Sequence, residues 1–358
     1  MYDFVIIGAG IAGASLAAGL APRAKVLVLE AEDRAGYHAT GRSAAFWTES
    51  YGGPLVQPLT TASFDFLETN GLLADRGGLT LARAGEAAGL AEFARTFEAL
   101  GVRVDELDRT AIEARLPGLK PEWTCGAYEP DCRDIDVAGL HQLYLAQAHR
   151  GGAELWLRAE LARAERHGEG WQLAMADGRT AQAAVLINAA GAWADPVAQR
   201  SGVARLGITP YRRTVVQLRM ATPVPPDLPL VMGFDGSFYF KPESGKLWLS
   251  PHDEVPSPPC DAAPEELDVA TAIDRFEQVI DWPIAALEHK WAGLRSFAPD
   301  RLPVYGFDPA EPRFFWFAGQ GGFGIQTAPA AADLALRLLL KQPGGPIDPV
   351  PYARSRLR

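Results

Sequence analysis

The sequence of 358 residues has little cysteine and histidine, and neither residue is arranged for metal binding. Its three cysteines, Cys125, Cys132 and Cys260, are widely spaced and odd in number, which predicts neither a disulfide framework nor a zinc site. None of the six histidines forms an H-x-x-x-H or similar pair, so metal catalysis has no support in the sequence. We therefore expect no bound metal and a reducing, cytoplasmic environment.

Basic charge and long apolar runs are also scarce. The chain has 34 Lys and Arg against 44 Asp and Glu, whereas binding a nucleic-acid backbone needs a clustered basic excess. No apolar run approaches the roughly 18 residues of a membrane-spanning helix. The apolar N-terminus is broken by glycines and has no basic region before it. We therefore expect a soluble protein without a nucleic-acid partner or a membrane span.

The N-terminal thirty residues have the pattern of a dinucleotide-binding βαβ unit. Tyr2–Ile7 is a short apolar run, and Val26–Leu29 is a second one that ends at Glu30. Three glycines between them have the G-x-G-x-x-G spacing, which permits a tight turn, a close backbone approach to pyrophosphate, and close packing of the helix on the sheet. These glycines are Gly8, Gly10 and Gly13. Glu30 stands where a carboxylate can accept hydrogen bonds from a ribose 2′-hydroxyl.

The rest of the chain alternates between strand-like and helical patterns. Residues 163–184 have the pattern of an antiparallel meander, and strands are expected over residues 184–188 and Phe314–Ala318, each before a turn of small residues. Helices are expected over residues 58–68, 85–100, 136–150 and 263–286, and from the terminal glycine loop to Leu340.

Five ordered motifs carry a resemblance to a known family. They are VIIGAGIAGAS, GYHATGRSAA, NAAGAW, WAGLRSFAPDRLPVYG and FAGQGGFGIQTAPA, in this order between Met1 and about Leu340. Together they resemble the FAD-dependent D-amino acid oxidase and dehydrogenase superfamily, which includes glycine oxidase and sarcosine oxidase, and within it most of all the bacterial D-arginine dehydrogenases. The resemblance implies an α/β fold. A Rossmann-like FAD-binding domain with a mixed sheet is interleaved with an α+β substrate domain that has a large antiparallel or mixed sheet.

The resemblance also implies how the chain is divided and how FAD is held. Residues 1–78, 136–210 and 292–358 are expected to form the FAD-binding domain, and residues 79–135 and 211–291 the substrate-binding domain. The adenine half of FAD is expected on the βαβ unit and its isoalloxazine between the domains. Several separated glycine segments also fit one long ligand that stays bound through turnover. Gly293 and Leu294 stand near the position where sarcosine oxidase has a flavin-linked cysteine, so we expect non-covalent FAD.

Four segments supply the predicted FAD-binding residues: the βαβ unit, the loop GYHATGRSAA, the turn NAAGAW and the terminal glycine loop. The helix after that last loop is expected to direct its positive end at the flavin. The predicted residues are Gly8, Gly10, Ile11, Ala12, Gly13, Glu30, Ala31, Thr40, Arg42, Ser43, Ala44, Ala45, Ala190, Gly191, Trp193, Gly321, Gly322, Phe323, Gly324, Ile325 and Gln326.

Substrate binding is expected to depend on Arg295 in WAGLRSF. A guanidinium matches a carboxylate bidentately, and the resemblance implies that this arginine holds the substrate α-carboxylate. Arg212 and Arg213 lie in one predicted strand and face opposite sides, so only one of them can enter the pocket. We prefer Arg213.

Two tyrosines and a backbone carbonyl complete the expected substrate contacts. The resemblance implies that Tyr51 and Tyr239 contact the substrate, and the carbonyl of Gly322 is a candidate acceptor for the substrate amine. His38, in the predicted FAD loop, is expected to be a structural hydrogen bonder rather than a general base.

Two positions depart from the D-arginine dehydrogenases. Phe46, which we include among the catalytic-site residues, stands where those enzymes have a histidine, and Gly78 where they have an acidic residue. Both changes remove polarity, and burying a cationic side chain without a partner is costly. A substrate with a neutral or apolar side chain is therefore favoured, unless Asp75 or Glu49 supplies a charge instead.

The predicted activity is the FAD-dependent oxidative deamination of a D-amino acid. A hydride would pass from the α-carbon to flavin N5, and water would hydrolyse the imine to a 2-oxo acid and ammonia. The alternatives are a 2-hydroxy acid dehydrogenase, a sarcosine-like secondary-amine oxidase and, in a different class, a non-catalytic flavoprotein partner or sensor. The expected partners are the small-molecule amino or hydroxy acid and an electron acceptor, a quinone or O2. The oxygen-activating lysine of sarcosine oxidase has no counterpart at residues 248–250, which favours a dehydrogenase that passes electrons to a quinone or another acceptor.

Overall fold

The computed structural model describes residues 1–357, which form three sheets and nine α-helices. In chain order the strands are β1 (Tyr2–Ile7), β2 (Val26–Leu29), β3 (Phe46–Trp47), β4 (Leu73–Asp75), β5 (Gly78–Arg83), β6 (Asp105–Asp108), β7 (Trp123–Glu129), β8 (Arg133–Ile135), β9 (Glu154–Trp156), β10 (Leu161–His167), β11 (Gly170–Met175), β12 (Thr180–Asn188), β13 (Thr209–Met220), β14 (Leu230–Gly233), β15 (Tyr239–Glu243), β16 (Lys246–Ser250), β17 (Val255–Pro256), β18 (Ile284–Phe297), β19 (Val304–Phe307) and β20 (Phe314–Ala318). The helices are α1 (Ile11–Leu20), α2 (Gln57–Thr61), α3 (Phe64–Thr69), α4 (Ala87–Glu98), α5 (Arg109–Arg115), α6 (Val137–Arg150), α7 (Ala194–Arg200), α8 (Glu266–Glu277) and α9 (Ala328–Leu339). None of these described helices is long and apolar enough to cross a membrane.

The first sheet has eight strands and a parallel centre. Its main order is β10-β11-β12-β1-β2-β9, and the predicted meander β10-β11-β12 forms its antiparallel edge. β20 pairs in parallel with the C-terminal end of β12, which also pairs in parallel with β1. The carboxyl ends of these three strands therefore meet at one edge of the sheet, and each is followed by one of the predicted small-residue turns.

Apolar helix faces cover this sheet. Leu16 and Leu20 of α1 and Leu334 of α9 pack on one face with Ile6 and other strand residues. The other face is covered by its own buried cluster, in which Trp316 is fully buried. The resulting core holds the βαβ unit rigidly against the turns at the carboxyl edge.

The second sheet has nine strands and is mostly antiparallel. Its order is β17-β13-β16-β15-β14-β5-β7-β6, and the long strand β18 pairs with β13 over its whole length. Phe240 and Phe276 are both fully buried where α8 packs on the sheet. A third, small sheet has the order β3-β8-β4. These mixed and antiparallel sheets confirm the predicted α/β fold class.

Two predicted helices differ from those in the structure. The helix expected over residues 58–68 is divided into α2 and α3, and the Ser63 hydroxyl between them donates to the Leu59 carbonyl at 2.7 Å. The helix expected over residues 263–286 is wrong at its C-terminal end, because α8 ends earlier and Pro283 has no N–H to continue a helix. Beyond it Ile284 begins β18, where it pairs with Met220.

Successive segments of the chain contribute strands alternately to the two large sheets, as an interleaved arrangement requires. Strand β18 runs through the expected boundary between residues 291 and 292. The division into an FAD-binding and a substrate-binding domain at the stated boundaries stays a proposal.

Candidate active site

A cavity of about 400 Å³ extends from the βαβ unit to strands β13 and β18. Residues from all four predicted FAD-binding segments line it: Gly8, Gly10, Ile11, Ala12, Glu30, Ala31, Thr40, Arg42, Ser43, Ala44, Ala190, Gly191, Trp193, Gly321, Gly322, Gly324 and Ile325. The predicted substrate residues Arg213, Tyr239 and Arg295 line it as well. The structure thus brings most of the predicted site to one cavity.

The glycine turn at the start of α1 is too tight for side chains. Gly8 has φ +102°, and a Cβ there would lie 2.6 Å from the Ala189 carbonyl oxygen. A Cβ at Gly13 would lie only 1.9 Å from the Gly8 carbonyl oxygen. Gly13 is not a lining residue; its lack of a side chain lets α1 pack against the turn and brings the first N–H groups of the helix to the cavity.

The carboxylate of Glu30 is fixed beside this turn. It accepts hydrogen bonds from the N–H groups of Ala9 at 2.8 Å and Glu32 at 3.0 Å. Carboxylate oxygens have further acceptor positions, so Glu30 can also receive a ribose hydroxyl. Thr40 accepts from the Ile11 N–H at 2.9 Å, which ties the loop GYHATGRSAA to the helix start.

Two side chains of that loop have internal partners. Arg42 donates to the carbonyls of Ala262 and Ala292 at 2.9 and 3.0 Å and forms an ion pair with Asp261, so its guanidinium anchors the loop to β18. His38 lies 2.9 Å from a Glu32 oxygen, and its ring packs on Trp193, as expected of a structural hydrogen bonder.

His141 of α6 also supports the glycine turn, and the sequence analysis missed it. Its Nε2 lies 2.9 Å from the Ala9 carbonyl, which can only accept, so Nε2 is the donor. Burial lowers the pKa of His141 and keeps the ring neutral. No local pattern could have identified it, because the contact joins residues 132 positions apart.

The register of β13 and β18 places two arginines on one face of the second sheet. Arg213 lies opposite Gly293, and Tyr211 lies opposite Arg295, so the two arginines are diagonal neighbours. Arg212 points to the other face, where it forms ion pairs with Asp268 and Glu265. The cavity lining thus contains Arg213 and not Arg212.

The Arg213 guanidinium is buried and only partly satisfied. Its Nε donates to the Asp253 carbonyl at 2.7 Å and its Nη2 to Glu254 at 3.3 Å, while its Nη1 has no hydrogen-bond partner among residues 1–357. Burial, and then the nearby positive charge of Arg295, lower the pKa of Arg213. Two neighbouring guanidinium groups, one of them with a buried donor that lacks a partner, favour an anion beside them.

Tyr51 and Gly322 adjoin this pair of arginines. The Tyr51 hydroxyl accepts from Arg295 Nη1 at 2.5 Å. A Cβ at Gly322 would lie 2.8 Å from both Arg295 Nη1 and the Tyr51 oxygen, so only glycine leaves both groups accessible. Tyr51 is not a lining residue, but it borders the lining through these contacts.

Phe46 lies behind the tyrosines and does not line the cavity. Its ring meets those of Tyr51 and Tyr239 edge to face, with centroids 5.4 and 6.1 Å away. A Cβ at Gly78 would lie 3.3 Å from Cys132, which packs in the same buried cluster as Phe46. Phe46 and Cys132 therefore form an apolar layer behind the tyrosines. This layer contains Phe46 and adjoins Gly78, the two positions at which this sequence departs from the D-arginine dehydrogenases.

Neither acid that we considered as a substitute has a place in this layer. Asp75 is exposed and pairs with Arg133, and Glu49 accepts from the Thr61 hydroxyl. Neither lines the cavity.

Three other predicted FAD-binding residues lie outside the described lining: Ala45, Phe323 and Gln326. The Gln326 amide donates to Thr60 at 2.9 Å and to the Tyr51 carbonyl at 3.2 Å. Phe323 packs edge to face on Tyr51. Both residues therefore support the segment that carries Tyr51.

His252 is a second histidine that the sequence analysis missed. Its Nε2 lies 3.5 Å from the Tyr51 oxygen, and its ring meets Tyr239 edge to face at 5.7 Å. It lies after β16 in the segment SPHDEV, which carries no motif that could have identified it.

Comparisons with known proteins find similarity over nearly the whole chain. A family model described as "DAO: FAD dependent oxidoreductase" matches residues 3–338. Glycine oxidase from Geobacillus kaustophilus (strain HTA426) is 26% identical over 373 residues, which cover 99% of this chain and 97% of that protein. A crystal structure of glycine oxidase from Geobacillus kaustophilus superposes with a TM-score of 0.87 at 23% identity, covering 99% of this chain and 98% of that one.

Two further proteins show the range of similarity. L-proline dehydrogenase from P. horikoshii superposes with a TM-score of 0.87 at 21% identity, over 99% of this chain and 97% of that one. L-2-hydroxyglutarate dehydrogenase from Salmonella houtenae is 30% identical over 229 residues, which cover 57% of this chain and 50% of that protein. The structural matches establish the fold, and the family match extends over nearly the whole chain.

Proposed function

Because this chain belongs to the DAO family of FAD-dependent oxidoreductases, we propose that it oxidises a D-amino acid with a neutral or apolar side chain to the imine, which water hydrolyses to a 2-oxo acid and ammonia. The observation that carries this proposal is the pair of Arg213 and Arg295 in the cavity lining, where Arg213 Nη1 is buried and has no hydrogen-bond partner among the described residues. A substrate α-carboxylate fits this pair, since guanidinium groups bind carboxylates with charge-assisted hydrogen bonds.

The cavity has the features that FAD requires. Glu30 is fixed for the ribose, and the glycine turn with the N-terminus of α1 is suited to the pyrophosphate. The turns after β12 and β20 line the same cavity as the arginines, so they would hold the ring system beside them. FAD, when bound, supplies the acceptor for two electrons and a proton taken from the substrate carbon.

The residues around the arginines orient the substrate. Arg295 and Arg213 fix the carboxylate, and the carbonyl of Gly322 can accept an N–H from the substrate amine. A guanidinium close to the substrate amine disfavours its protonated form and so favours the neutral amine that can be oxidised. A separate protein base is therefore not required.

The preference for a neutral side chain follows from the lining. Among the described residues that line the cavity between β13, β18 and the terminal glycine loop, none is acidic. A cationic side chain would lose its hydration there without gaining a partner, at a cost of several kcal/mol. D-arginine and D-lysine should therefore be poor substrates.

A 2-hydroxy acid is the second candidate substrate, because a carboxylate held by two arginines serves C–O oxidation equally well. The similarity to an L-2-hydroxyglutarate dehydrogenase over 57% of this chain favours testing it. Glycine, L-proline and 2-hydroxyglutarate, which the names of the three relatives contain, all carry a carboxylate beside the carbon that bears nitrogen or oxygen. A sarcosine-like secondary amine also fits, whereas a non-catalytic flavoprotein would need no such clamp.

Anaerobic reduction of the flavin, followed by its absorbance, tests the proposal. The substrates would be D- and L-amino acids, N-methyl amino acids and 2-hydroxy acids. We expect D-leucine, D-methionine or D-phenylalanine to bleach the flavin with a higher kcat/KM than D-arginine. A faster reaction with D-arginine would refute the proposed side-chain preference. If only 2-hydroxy acids bleached the flavin, the substrate would be a 2-hydroxy acid and not an amino acid. Turnover with a soluble quinone against O2 then identifies the acceptor, for which we propose a quinone.

A further inference from the structure

His252 stands beside Tyr51 and Tyr239 and has no part in the function proposed so far. Its Nε2 is 3.5 Å from the Tyr51 oxygen, which in turn accepts from Arg295 at 2.5 Å. A line of polar contacts therefore leads from the imidazole through the phenol to the guanidinium.

The hydrogen-bond directions along this line are fixed by chemistry. His252 Nδ1 lies 2.6 Å from the Gly236 carbonyl, which can only accept, so Nδ1 carries the proton. Nε2 of the neutral ring is then an acceptor, and the Tyr51 hydroxyl is the donor to it. The same hydroxyl oxygen keeps its lone pairs for Arg295.

The surroundings keep the ring neutral. Burial, followed by the positive charges of Arg213 and Arg295 and more weakly of Arg275, lowers the pKa of His252 to about 2. The Gly236 carbonyl opposes this shift without reversing it. Nε2 therefore remains an acceptor over the pH range in which the protein can be assayed.

The backbone holds His252 in a costly conformation. Its φ is +52°, in the left-handed region that non-glycine residues rarely adopt. Its N–H donates to the Ser250 hydroxyl at 3.1 Å. Arg275 of α8 donates to the carbonyl of Pro251, next to His252, and to that of Ser237, next to Gly236. Strain that is held in place beside a binding site is a common mark of function.

We propose that His252 is a positioning residue that accepts a hydrogen bond from the Tyr51 hydroxyl and thereby holds Arg295 in place for the substrate carboxylate. This inference rests on the proposed function, in which Arg295 binds that carboxylate. Loss of the imidazole should let the Tyr51 hydroxyl rotate, which weakens carboxylate binding more than it slows the chemical step. KM should therefore rise more than kcat falls.

A double-mutant cycle in the FAD-loaded protein tests the inference. The proteins are the wild type, His252→Asn, Tyr51→Phe and the double variant, and the probe is benzoate, a carboxylate with no oxidisable α-carbon, followed by the flavin spectrum. Asparagine tolerates the left-handed conformation but is too short to reach Tyr51. We expect His252→Asn to raise the benzoate Kd about tenfold when Tyr51 is present and less than about twofold when it is replaced by Phe. Equal effects in both backgrounds would overturn the inference.

Lys341→Asn is the matched control for the backbone change. Lys341 is exposed, follows α9 and has φ +54°, close to that of His252. Both asparagine variants should keep or raise Tm, because asparagine is less strained there. Only His252→Asn should weaken benzoate binding. A similar loss in both variants would show that backbone relaxation, and not the imidazole, is responsible.

Two further measurements separate this inference from the proposed function. If Arg295→Met binds benzoate as tightly as the wild type, the carboxylate site and hence the proposed function fail. The hydrogen bond itself is read from the Nε2 resonance in 15N NMR spectra, identified by its absence in His252→Asn. Tyr51→Phe should shift this resonance, and an unchanged resonance would show that Tyr51 does not donate to His252.

Discussion

At the scale of single residues, the substrate end of the cavity is distinguished by two neighbouring positive charges. Arg213 is only 4% exposed and still has a donor without a partner among the described residues, an arrangement that costs free energy unless a ligand completes it. Arg212 differs from it by one position and satisfies its guanidinium with Asp268 and Glu265. The alternation of side chains along β13 thus separates a binding arginine from a structural one.

This pair of adjacent arginines supports a direct comparison of two variants. Arg213→Met should raise KM for the best substrate about ten- to a hundredfold, because a hydrogen bond to a charged group contributes roughly 1.5–3 kcal/mol. Arg212→Met should leave KM near its wild-type value and change only stability, since its partners lie on the other face. Steady-state kinetics of both proteins decide the matter. The reverse pattern would show that Arg212 is the substrate ligand.

At the scale of secondary-structure elements, the glycine turn determines whether α1 can pack on the first sheet. Gly13→Ala would place a methyl group 1.9 Å from the Gly8 carbonyl oxygen, which the backbone can only relieve by moving. We expect a lower FAD content and a loss of stability of about 1–3 kcal/mol or more. FAD absorbance per protein and urea unfolding measure both.

Gly19 provides the control within the same helix. A Cβ at Gly19 would meet only the Leu336 side chain, at an ordinary distance of 3.4 Å. Gly19→Ala should therefore retain FAD and be neutral or stabilising by up to about 1 kcal/mol, through the higher helix propensity of alanine. If both variants lost FAD equally, the close contact at Gly13 would not be the cause.

The segment between β3 and α2, which carries Tyr51, is held by a buried carboxylate. Glu129 is 5% exposed and accepts from the hydroxyls of Thr48, at 2.9 Å, and Ser50. Burial raises the pKa of Glu129 even though these hydrogen bonds oppose the shift. The folded protein therefore retains this proton to a higher pH than the unfolded chain does.

The pH dependence of the protein's stability follows from this raised pKa. Where the folded state binds more protons, stability falls as pH rises, from the ordinary glutamate pKa up to the raised one. Glu129→Gln removes this loss, so its urea midpoint should gain on the wild type as pH rises from 4 to 8. Glu288→Gln, which removes an exposed carboxylate whose pKa is lowered by Lys246, should show no such gain. A difference between Glu129→Gln and wild type that does not change with pH would contradict the raised pKa.

The elements also show which predictions a sequence supports. The βαβ unit was predicted correctly because its strands, glycines and acid follow from contacts within thirty residues. The end of α8 was not, since it depends on pairing between Ile284 and the distant Met220. His141 and His252 were missed for the same reason, because only long-range packing brings them to Ala9 and Tyr51.

At the scale of the whole molecule, the cavity is lined by residues that both large sheets and their connecting turns contribute. The carboxyl ends of β1, β12 and β20 contribute the predicted FAD segments, and the long pair β13–β18 contributes the arginines. The sequence could predict each group separately. That Arg213 and Arg295 are neighbours depends on the register of two strands about 80 residues apart in the chain, which no local pattern encodes.

The mode of FAD attachment is also a property of the assembled molecule. Gly293 and Leu294 offer no thiol, but the fold brings Cys260 into the cavity lining, 3.6 Å from the Ser257 hydroxyl. We still expect acid precipitation to leave a colourless pellet and a yellow supernatant. Added FAD should raise Tm in a concentration-dependent way, because a ligand that binds only the folded state at 100 times its Kd contributes about 2.7 kcal/mol. A yellow pellet would show a covalent bond instead. If the pellet of Cys260→Ser were colourless, the bond would be to the Cys260 thiol, which its position in the sequence did not suggest.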